Sequence, residues 1–157
     1  MPSVLFVCTA NICRSPMASA IFKSLLTKKG RLEAWRVESA GTWAAQGMPA
    51  AQNSQTAIAS LYQLDLGDHR SRSVSEGLLS SFDLILTMEK GHKEALQVEF
   101  PEHAMRIFLL SEMVGKDFEI NDPIGGPLFE YRQTARELEH ILDQGFETIL
   151  RLAGAAN

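Results

Sequence analysis

The sequence is poor in the features that mark secreted, membrane-spanning or nucleic-acid-binding proteins. It has two cysteines in 157 residues, too few for a fold held together by disulfides. No apolar run approaches the roughly 18 residues of a membrane-spanning helix. The formal net charge of −4 argues against a general nucleic-acid-binding surface. A strand-like segment follows Met1 at once, so we expect no signal peptide and a reducing, cytoplasmic compartment.

The composition is ordinary for a single globular domain, which we predict to span residues 1–157. Apolar residues make up 45% of the chain and charged residues 22%, enough for a full core. Apolar runs predict strands near residues 4–7, 35–39, 82–88 and 106–110. Helical patterns lie near residues 16–28, 49–62, 74–80, 89–100 and 129–152. This alternation predicts an α/β fold, a parallel sheet with helices on both faces.

Both cysteines lie in one short loop between the first predicted strand and the first predicted helix. Cys8 ends the strand, and Arg14 follows six positions later. Ser15 is a good helix cap, and Pro16 suits the first helical position. If the loop curls, its N–H groups and the helix N-terminus converge on a point that binds an oxyanion, usually phosphate. The alternative is a buried Cys8 ending a core strand and an Arg14 on a helix surface.

Cys8 has the surroundings of a nucleophile in such a loop. A helix N-terminus or a nearby cation lowers the pKa of a thiol and so favours the reactive thiolate. The planar guanidinium of Arg14 can bind two phosphate oxygens at once. Together they predict phosphoryl transfer through a cysteinyl-phosphate intermediate. Two thiols without nearby histidines make a poor zinc site, so we expect no metal and no cofactor.

Asp122 is our candidate for the general acid that protonates the leaving oxygen. It precedes Pro123, which favours an extended backbone, and the glycines that follow make a loop that can approach Cys8. Asp117 is the rival candidate. Asp-Pro pairs also begin turns routinely, so the alternative for Asp122 is a carboxylate that only caps a turn.

Four polar residues are candidates for holding the loop in its curled shape. Asn11 tolerates left-handed backbone angles, and Ser15 can donate a hydrogen bond to the thiolate. Ser39, at the end of the second strand, and His69 can brace Asn11. For His69 the alternative is an exposed loop histidine. The remaining loop residues are Thr9, Ala10, Ile12 and Cys13.

Cys13 and Trp43 each have a functional and a structural interpretation. Cys13 can close a disulfide with Cys8 on oxidation, which would make the protein redox-sensitive and protect the nucleophile. The alternative is a small buried residue. Trp43 follows the turn after Ser39 and can form an apolar wall for an aromatic substrate, or it can belong to the core.

In these segments the sequence resembles the low-molecular-weight protein tyrosine phosphatases. The matching segments occur in the same order along the chain: residues 8–18, residues 39–42, His69 with Arg72, residues 82–88, and Asp122-Pro123. The resemblance implies a single-domain Rossmann-like sandwich around a four-stranded parallel sheet. It also implies a metal-free hydrolysis in two steps.

The resemblance implies a role for each matching residue of the site. Cys8 would be the nucleophile, Arg14 would bind the phosphate and stabilise the transition state, and Asp122 would act first as acid and then as base. The residues that match the family's loop-supporting positions are Asn11, Ser15, Ser39 and His69.

The part of the site that would meet the substrate departs from many members of that family. Those members carry two aromatic residues after the Asp-Pro pair, where this chain has Ile124 and Gly125. The Asp-Pro-Ile-Gly-Gly segment is similar to the bacterial protein-arginine phosphatases, but these typically have a threonine where this chain has Ile12. The apolar Ile12 resembles the tyrosine-specific members. We therefore predict phosphotyrosine as the substrate and Ile12, Trp43 and Ile124 as walls of its pocket.

Three other functions compete with this prediction. The first is a protein-arginine phosphatase of the same family. The second, a thiol-linked arsenate reductase, needs further cysteines, and the chain has none beyond Cys13. The third, a phosphate-binding module without catalysis, is disfavoured by the joint presence of Cys8, Arg14 and Asp122. For the favoured function we expect phosphorylated proteins as partners and no nucleic acid or membrane partner. We also expect a monomer or weak dimer.

Overall fold

The computed structural model describes residues 1–155 and contains a four-stranded parallel sheet. The strands are β1 (Ser3–Cys8), β2 (Arg36–Gly41), β3 (Leu84–Thr87) and β4 (Ile107–Leu109). Their order across the sheet is β2-β1-β3-β4, so β1 is central and pairs with both β2 and β3. The predicted fold class is confirmed.

Helices cover both faces of the sheet, as parallel strands require. They are α1 (Arg14–Lys28), α2 (Gln52–Tyr62), α3 (Glu76–Ser80), α4 (Lys90–Glu99), α5 (Leu128–Gln144) and α6 (Phe146–Leu152). Three short 3₁₀ segments lie at Leu32–Ala34, Pro101–Arg106 and Leu110–Val114. None of the helices within residues 1–155 combines the length and apolarity needed to cross a bilayer.

The two cores follow from the alternation of side chains along β1. Val4, Phe6 and Cys8 face one core, which is built mainly from α1, α5 and α6. Leu5 and Val7 face the other, which is built with α3 and α4. The first core therefore includes the end of β1 that carries Cys8, and it holds that residue against the start of α1.

Phe22 of α1 lies at the centre of the larger core. Its ring centroid is 5.9 Å from Phe6, 5.6 Å from Trp35 and 5.6 Å from Phe146. Truncating a fully buried phenylalanine costs about 3–5 kcal/mol of stability. This cluster fixes α1, and with it the helix N-terminus that follows the Cys8 loop.

The start of α1 corrects the sequence-based prediction. The helix begins at Arg14 with Cys13 as the residue that precedes it, so Ser15 is not the cap and Pro16 is the third helical residue. Proline is tolerated there because the first N–H groups of a helix have no partner within it. The hydroxyl of Ser15 is instead used at Cys8.

The last predicted helix, residues 129–152, is divided in the structure. Gly145 separates α5 from α6 because the chain passes close to Met113 at that point. A Cβ at Gly145 would lie 2.8 Å from Met113 Cβ, so a side chain there would clash. Helical periodicity continues through both segments, which is why the pattern alone predicted one helix.

Candidate active site

The predicted site residues meet at the carboxyl edge of the sheet, where ligands bind in folds of this type. Cys8 lies opposite Gly41 at the ends of β1 and β2. The Cys8 carbonyl accepts a hydrogen bond from Thr42 N–H at 2.8 Å. On the other side, Ile120 N–H donates to the Met88 carbonyl at 2.9 Å. That bond brings the loop of residues 120–127 to the end of β3, beside the Cys8 loop.

Asn11 holds the loop after Cys8 in a tight curl. Its φ of 59° lies in the left-handed region, which asparagine tolerates better than most residues. Its side-chain amide donates to Ser15 Oγ at 2.8 Å and to Ser39 Oγ at 3.0 Å, and its Oδ1 accepts from Arg72 N–H at 3.0 Å. His69 Nε2 donates to the Asn11 carbonyl at 2.6 Å. Three separate segments therefore support one loop residue.

Burial lowers the pKa of His69, and the bond to the Asn11 carbonyl opposes this only in part. The ring is half-buried and does not lie free on the surface. Since a carbonyl can only accept, the Nε2 atom of the neutral ring carries the hydrogen. His69 thus needs no proton uptake to support the loop.

The curl leaves a set of backbone donors without protein partners. Within residues 1–155, the N–H groups of residues 10–13 donate to no protein acceptor. Asn11 is 0% exposed and Cys13 is 3% exposed, and unpaired N–H groups at such buried positions are rare. Together with the N-terminus of α1 they form a cradle suited to an oxyanion.

The Cys8 sulfur lies within the same loop. Its Sγ is 2.9 Å from Ser15 Oγ, close enough for a hydrogen bond. A thiolate can only accept a hydrogen bond, so in the reactive form of Cys8 the serine hydroxyl is the donor. Asn11 donates to the same hydroxyl oxygen, so the serine hydrogen is left for the sulfur or for the more distant Ala40 carbonyl at 3.4 Å.

Arg14 is buried to an unusual degree for a charged side chain, at 1% exposure. Its Nη1 atom is 2.6 Å from Glu89 Oε2 and donates to the Ile120 carbonyl at 2.7 Å. Its Nη2 atom is 3.4 Å from Thr9 Oγ1 and 3.5 Å from Asp122 Oδ2. Its Nε atom has no hydrogen-bond partner within residues 1–155. A buried, unpartnered donor on a charged group is costly, and an anion bound in the loop would satisfy it.

Two residues of this network, Glu89 and His92, were missed in the sequence analysis. Glu89 forms the ion pair with Arg14, and His92 Nε2 lies 2.8 Å from Thr9 Oγ1. They follow β3, the strand beside β1, at the same edge as Cys8. That position was the available signal, because polar residues just after a strand next to β1 must lie near the site.

Asp122 lies at the opening of the site. With Cys8, Ala10, Ile12, Cys13, Arg14 and Ile124, it lines a small cavity of about 10 Å³. Its Oδ1 also accepts a hydrogen bond from Ile124 N–H at 3.1 Å, so it stabilises the turn as well. The rival, Asp117, is exposed and lines a different surface cleft with Glu112 and Lys116. The geometry favours Asp122 as the proton donor.

The cavity at Cys8 is far from the largest on the surface. A cleft of about 390 Å³ lies beside α1, between Lys23, Leu64 and His69. It contains neither Cys8 nor Arg14, so its size carries no argument for the chemistry. The small cavity is the relevant one because it joins the thiol, the guanidinium and the carboxylate.

The three predicted pocket walls differ in their positions. Ile12 and Ile124 line the cavity, and Ile124 is 52% exposed at its rim. Trp43 does not line it: its N–H donates to the Thr9 carbonyl at 3.0 Å, and its side chain is 86% exposed. The backbone bond turns the chain there, so Trp43 is neither a wall of this cavity nor part of the core.

Cys13 lines the cavity, but its thiol stays protonated and is therefore a poor nucleophile. Burial raises the pKa of its thiol to about 11, and Sγ lies 3.8 Å from the Tyr131 hydroxyl. Since the thiolate is the form that attacks a sulfur, a protonated Cys13 reacts slowly. The disulfide with Cys8 therefore stays a prediction.

Gly41 offers a test of the loop geometry that does not depend on catalysis. A Cβ at this position would lie 2.3 Å from the Thr9 carbonyl oxygen and 3.1 Å from Asn11 N. We expect Gly41→Ala to displace the loop and weaken inorganic phosphate binding about ten- to hundredfold, as expected for losing one charge-assisted hydrogen bond or more. Isothermal titration calorimetry measures the affinity.

The matched control for Gly41→Ala is Gly77→Ala in α3, where an added Cβ meets nothing within 4 Å. This variant should bind phosphate as the unmodified protein does. Unchanged affinity in Gly41→Ala would show that the donors of the loop do not depend on this close contact.

Comparison with known proteins gives consistent matches over almost the whole chain. The family model described as low molecular weight phosphotyrosine protein phosphatase matches residues 3–152. The protein-arginine-phosphatase of Bacillus subtilis (strain 168) is 38% identical over 143 residues, which are 90% of this chain and 92% of that protein. The low molecular weight protein-tyrosine-phosphatase PtpB of Staphylococcus haemolyticus is 36% identical, over 88% of this chain and 94% of its own.

Solved structures of phosphatases are also similar to this chain over almost its whole length. The low molecular weight protein tyrosine phosphatase from T. tengcongensis has a TM-score of 0.89 at 40% identity, with 94% of this chain and 99% of that chain covered. The YwlE arginine phosphatase from Geobacillus stearothermophilus has a TM-score of 0.86 at 32% identity, with 100% and 99% covered.

Proposed function

Because the chain belongs to the low molecular weight phosphotyrosine protein phosphatase family, a family of hydrolases, we propose that it hydrolyses phosphotyrosine in proteins. The reaction proceeds through a phosphocysteine at Cys8. The observation that carries this proposal is Arg14, a buried guanidinium that lines the cavity with the thiol, is held on both Nη atoms and has no partner for Nε among residues 1–155.

In the first step the Cys8 thiolate attacks the phosphorus atom, and the bond between phosphorus and the tyrosine oxygen breaks. The N–H groups of residues 10–13 and Arg14 stabilise the charge on the three non-bridging oxygens. Asp122, in its protonated form, gives its proton to the leaving oxygen, so that tyrosine departs as a neutral phenol.

In the second step water attacks the phosphorus of the phosphocysteine. Asp122, now a carboxylate, takes a proton from that water, and the sulfur leaves as a thiolate. Ser15, 2.9 Å from the sulfur, stabilises this thiolate as it forms. Inorganic phosphate is released, and the site returns to its starting state.

The pair formed by Glu89 and Arg14 suits this cycle. Glu89 balances the buried charge of Arg14 when no phosphate is bound, which reduces the cost of burying a lone cation. The guanidinium still has hydrogen-bond donors to offer on its Nε side. It can therefore bind a phosphoryl group without reorganising its other contacts, which is what electrostatic stabilisation of a transition state requires.

Apolar side chains at the cavity favour phosphotyrosine over phosphoarginine. A phosphoarginine side chain carries N–H donors that need acceptors where the pocket excludes water. Ala10, Ile12 and Ile124 offer none, and Asp122 is needed for proton transfer. The uncharged faces of a phenyl ring match these apolar walls.

Phosphoarginine is the second candidate substrate, and specific observations favour it. A protein-arginine-phosphatase is 38% identical to this chain. The turn Asp122-Pro123-Ile124-Gly125-Gly126 carries one apolar residue and no aromatic pair after the proline. Asp122 lies beside the opening and could accept a guanidinium hydrogen.

The two substrates are separated by kinetics on the purified protein. We expect kcat/KM for a phosphotyrosine peptide to exceed that for the matched phosphoarginine peptide by about tenfold or more, the difference that unpaired donors in an apolar pocket would cause. The reverse preference would assign the protein to phosphoarginine. An Ile12→Thr variant tests the cause, because adding a hydroxyl at this wall should shift the ratio toward phosphoarginine.

We also propose that the protein works in the cytoplasm as a monomer or weak dimer on phosphorylated proteins, with no nucleic acid or membrane partner. Two free thiols at one site fit a reducing compartment. Burial raises the pKa of Cys13, which slows its attack on an oxidised Cys8, so redox sensitivity through this pair stays a prediction.

A further inference from the structure

The proposed reaction leaves open the role of a buried histidine that contacts Thr9 and Glu89, two residues whose side chains also contact Arg14. His92 of α4 is 7% exposed, and its Nε2 atom is 2.8 Å from Thr9 Oγ1 and 3.7 Å from Glu89 Oε2. We infer that His92 is a positioning residue that orients the Arg14 guanidinium through the Thr9 hydroxyl. This inference rests on the proposed function, since it concerns the phosphate-binding group of the same site.

The direction of the hydrogen bond follows from the other ring nitrogen. His92 Nδ1 is buried and has no hydrogen-bond partner within residues 1–155. A hydrogen on Nδ1 would be an unpaired buried donor, which is costlier than an unpaired acceptor of this kind. The hydrogen therefore lies on Nε2, which donates to Thr9 Oγ1.

The neutral ring is the form that fits this arrangement. Burial lowers the pKa of His92, and the nearby Arg14 adds to this effect. The carboxylates of Glu89, Glu119 and Asp122 act in the opposite direction without reversing it. Protonation would also place a hydrogen on the unpartnered Nδ1 and a second cation beside Arg14.

Thr9 then accepts hydrogen bonds from both sides. Its Oγ1 accepts from His92 Nε2 and, at 3.4 Å, from Arg14 Nη2. With two donors on one oxygen, the hydroxyl cannot turn freely, and Nη2 keeps a fixed acceptor. Glu89 and the Ile120 carbonyl hold Nη1 in the same way.

The guanidinium is therefore held at both Nη atoms by protein groups, and its plane is set before phosphate arrives. Preorganised donors stabilise a transition state more than mobile donors do, because no free energy is lost in reorienting them during the reaction. Removing His92 should release Thr9 and leave Nη2 with a poorly oriented partner. The loss should fall on the transition state, where charge on the non-bridging oxygens is held most tightly.

The test compares His92→Leu with His92→Gln. We expect His92→Leu to lower kcat about tenfold with little change in KM, since one well-oriented hydrogen bond in a transition state corresponds to about one factor of ten. Glutamine carries an amide donor in place of Nε2–H, so His92→Gln should stay within about threefold of the unmodified protein. A purely structural role would not predict recovery by the variant that keeps the donor.

Two kinetic readouts identify the group on which His92 acts. The loss in His92→Leu should be the same for phosphotyrosine and for p-nitrophenyl phosphate, because Arg14 contacts oxygens that do not leave. Thr9→Val removes the intermediate hydroxyl, so the double variant with His92→Leu should be no slower than Thr9→Val alone. If the two substitutions instead lowered kcat by independent factors that multiply in the double variant, the inference would be wrong.

The matched control is His103→Leu. His103 is 8% exposed and forms hydrogen bonds with Glu76, at 2.8 Å, and with Arg106, just before β4 and so remote from the carboxyl edge of the sheet. This variant should lose thermal stability to a similar extent as His92→Leu and keep its kcat. Full kcat in His92→Leu, or failure of a folded His92→Gln to recover activity, would overturn the inference.

A failure of the proposed function can be distinguished from a failure of the inference about His92. If the unmodified protein hydrolysed no phosphate ester, the function would be wrong, and binding of orthovanadate, which adopts the five-coordinate geometry of the transition state, would still test the role of His92. We expect a several-fold weaker affinity in His92→Leu and near-normal affinity in His92→Gln and His103→Leu. Equal affinity in all of these variants would overturn the inference in that case.

Discussion

Cys8→Ser abolishes turnover of phosphotyrosine and p-nitrophenyl phosphate, by at least about 10³-fold, while inorganic phosphate still binds. A serine hydroxyl is essentially un-ionised at neutral pH, and Asp122 carries its proton for the leaving oxygen in the first step, so it does not deprotonate that hydroxyl. The free N–H groups of residues 10–13 and the Arg14 guanidinium remain in place, because the substitution exchanges one atom. Steady-state kinetics and calorimetric phosphate titration measure the two effects.

The loss in Cys8→Ser should be chemical and not a failure to fold. Thermal unfolding serves as the control, and it should differ little from that of the unmodified protein because serine and cysteine have similar shapes. Rapid acid quenching of the unmodified protein with substrate, followed by phosphorus NMR, should detect an S-phosphoryl group. Substantial turnover by a folded Cys8→Ser protein would refute Cys8 as the nucleophile.

Asp122→Asn slows the release of tyrosine from phosphotyrosine by about 10²–10⁴-fold, the range expected for removing a general acid. It should slow the release of p-nitrophenol far less in the first step, because that leaving group departs without a proton. The amide oxygen of asparagine can still accept the hydrogen bond from Ile124 N–H, now 3.1 Å from Asp122 Oδ1. This variant therefore tests the proton without removing the turn.

The two steps of the reaction separate in pre-steady-state measurements on Asp122→Asn. With p-nitrophenyl phosphate the initial burst should remain fast, whereas the later steady rate should fall because water loses its base. Asp122→Ala removes the turn contact as well, so any further loss in this variant measures the structural contribution. Asp117→Ala is the control and should behave as the unmodified protein does. If the release of tyrosine and the release of p-nitrophenol slowed equally in the burst, the general acid would be a residue other than Asp122.

Local sequence predicted that the candidate reacting groups would lie together, because their placement depends on short-range geometry. Cys8 at the end of an apolar strand and Arg14 at the start of a helix are six residues apart, and a loop of this length has few ways to connect them. The same holds for Asp122, whose position before Pro123 restricts its backbone. The order of strands and helices was sufficient to predict the edge of the sheet where these residues meet.

Residues with ambiguous local patterns were predicted less well. Ser15 was predicted both as a helix cap, which is wrong, and as a donor to Cys8, which its hydroxyl at 2.9 Å from Cys8 Sγ supports. Trp43 was expected either to form a wall of the substrate pocket or to belong to the core, and it does not line the cavity and is 86% exposed. The choice between these alternatives does not follow from neighbours in the chain, because it depends on how distant segments pack against the loop of residues 8–14.

The sequence by itself determined the fold class, the loop with its thiol and guanidinium, and the candidate acid. These depend on periodicity, on the spacing between Cys8 and Arg14, and on backbone restrictions at Asn11 and Pro123. Only the tertiary structure decided what surrounds Arg14. Glu89 and His92 are 75 and 78 positions away along the chain (89 − 14 and 92 − 14), and the parallel pairing of β1 with β3 brings them to it. The orientation of a buried charge depends on all the groups packed around it, and packing between distant segments is not contained in any local pattern.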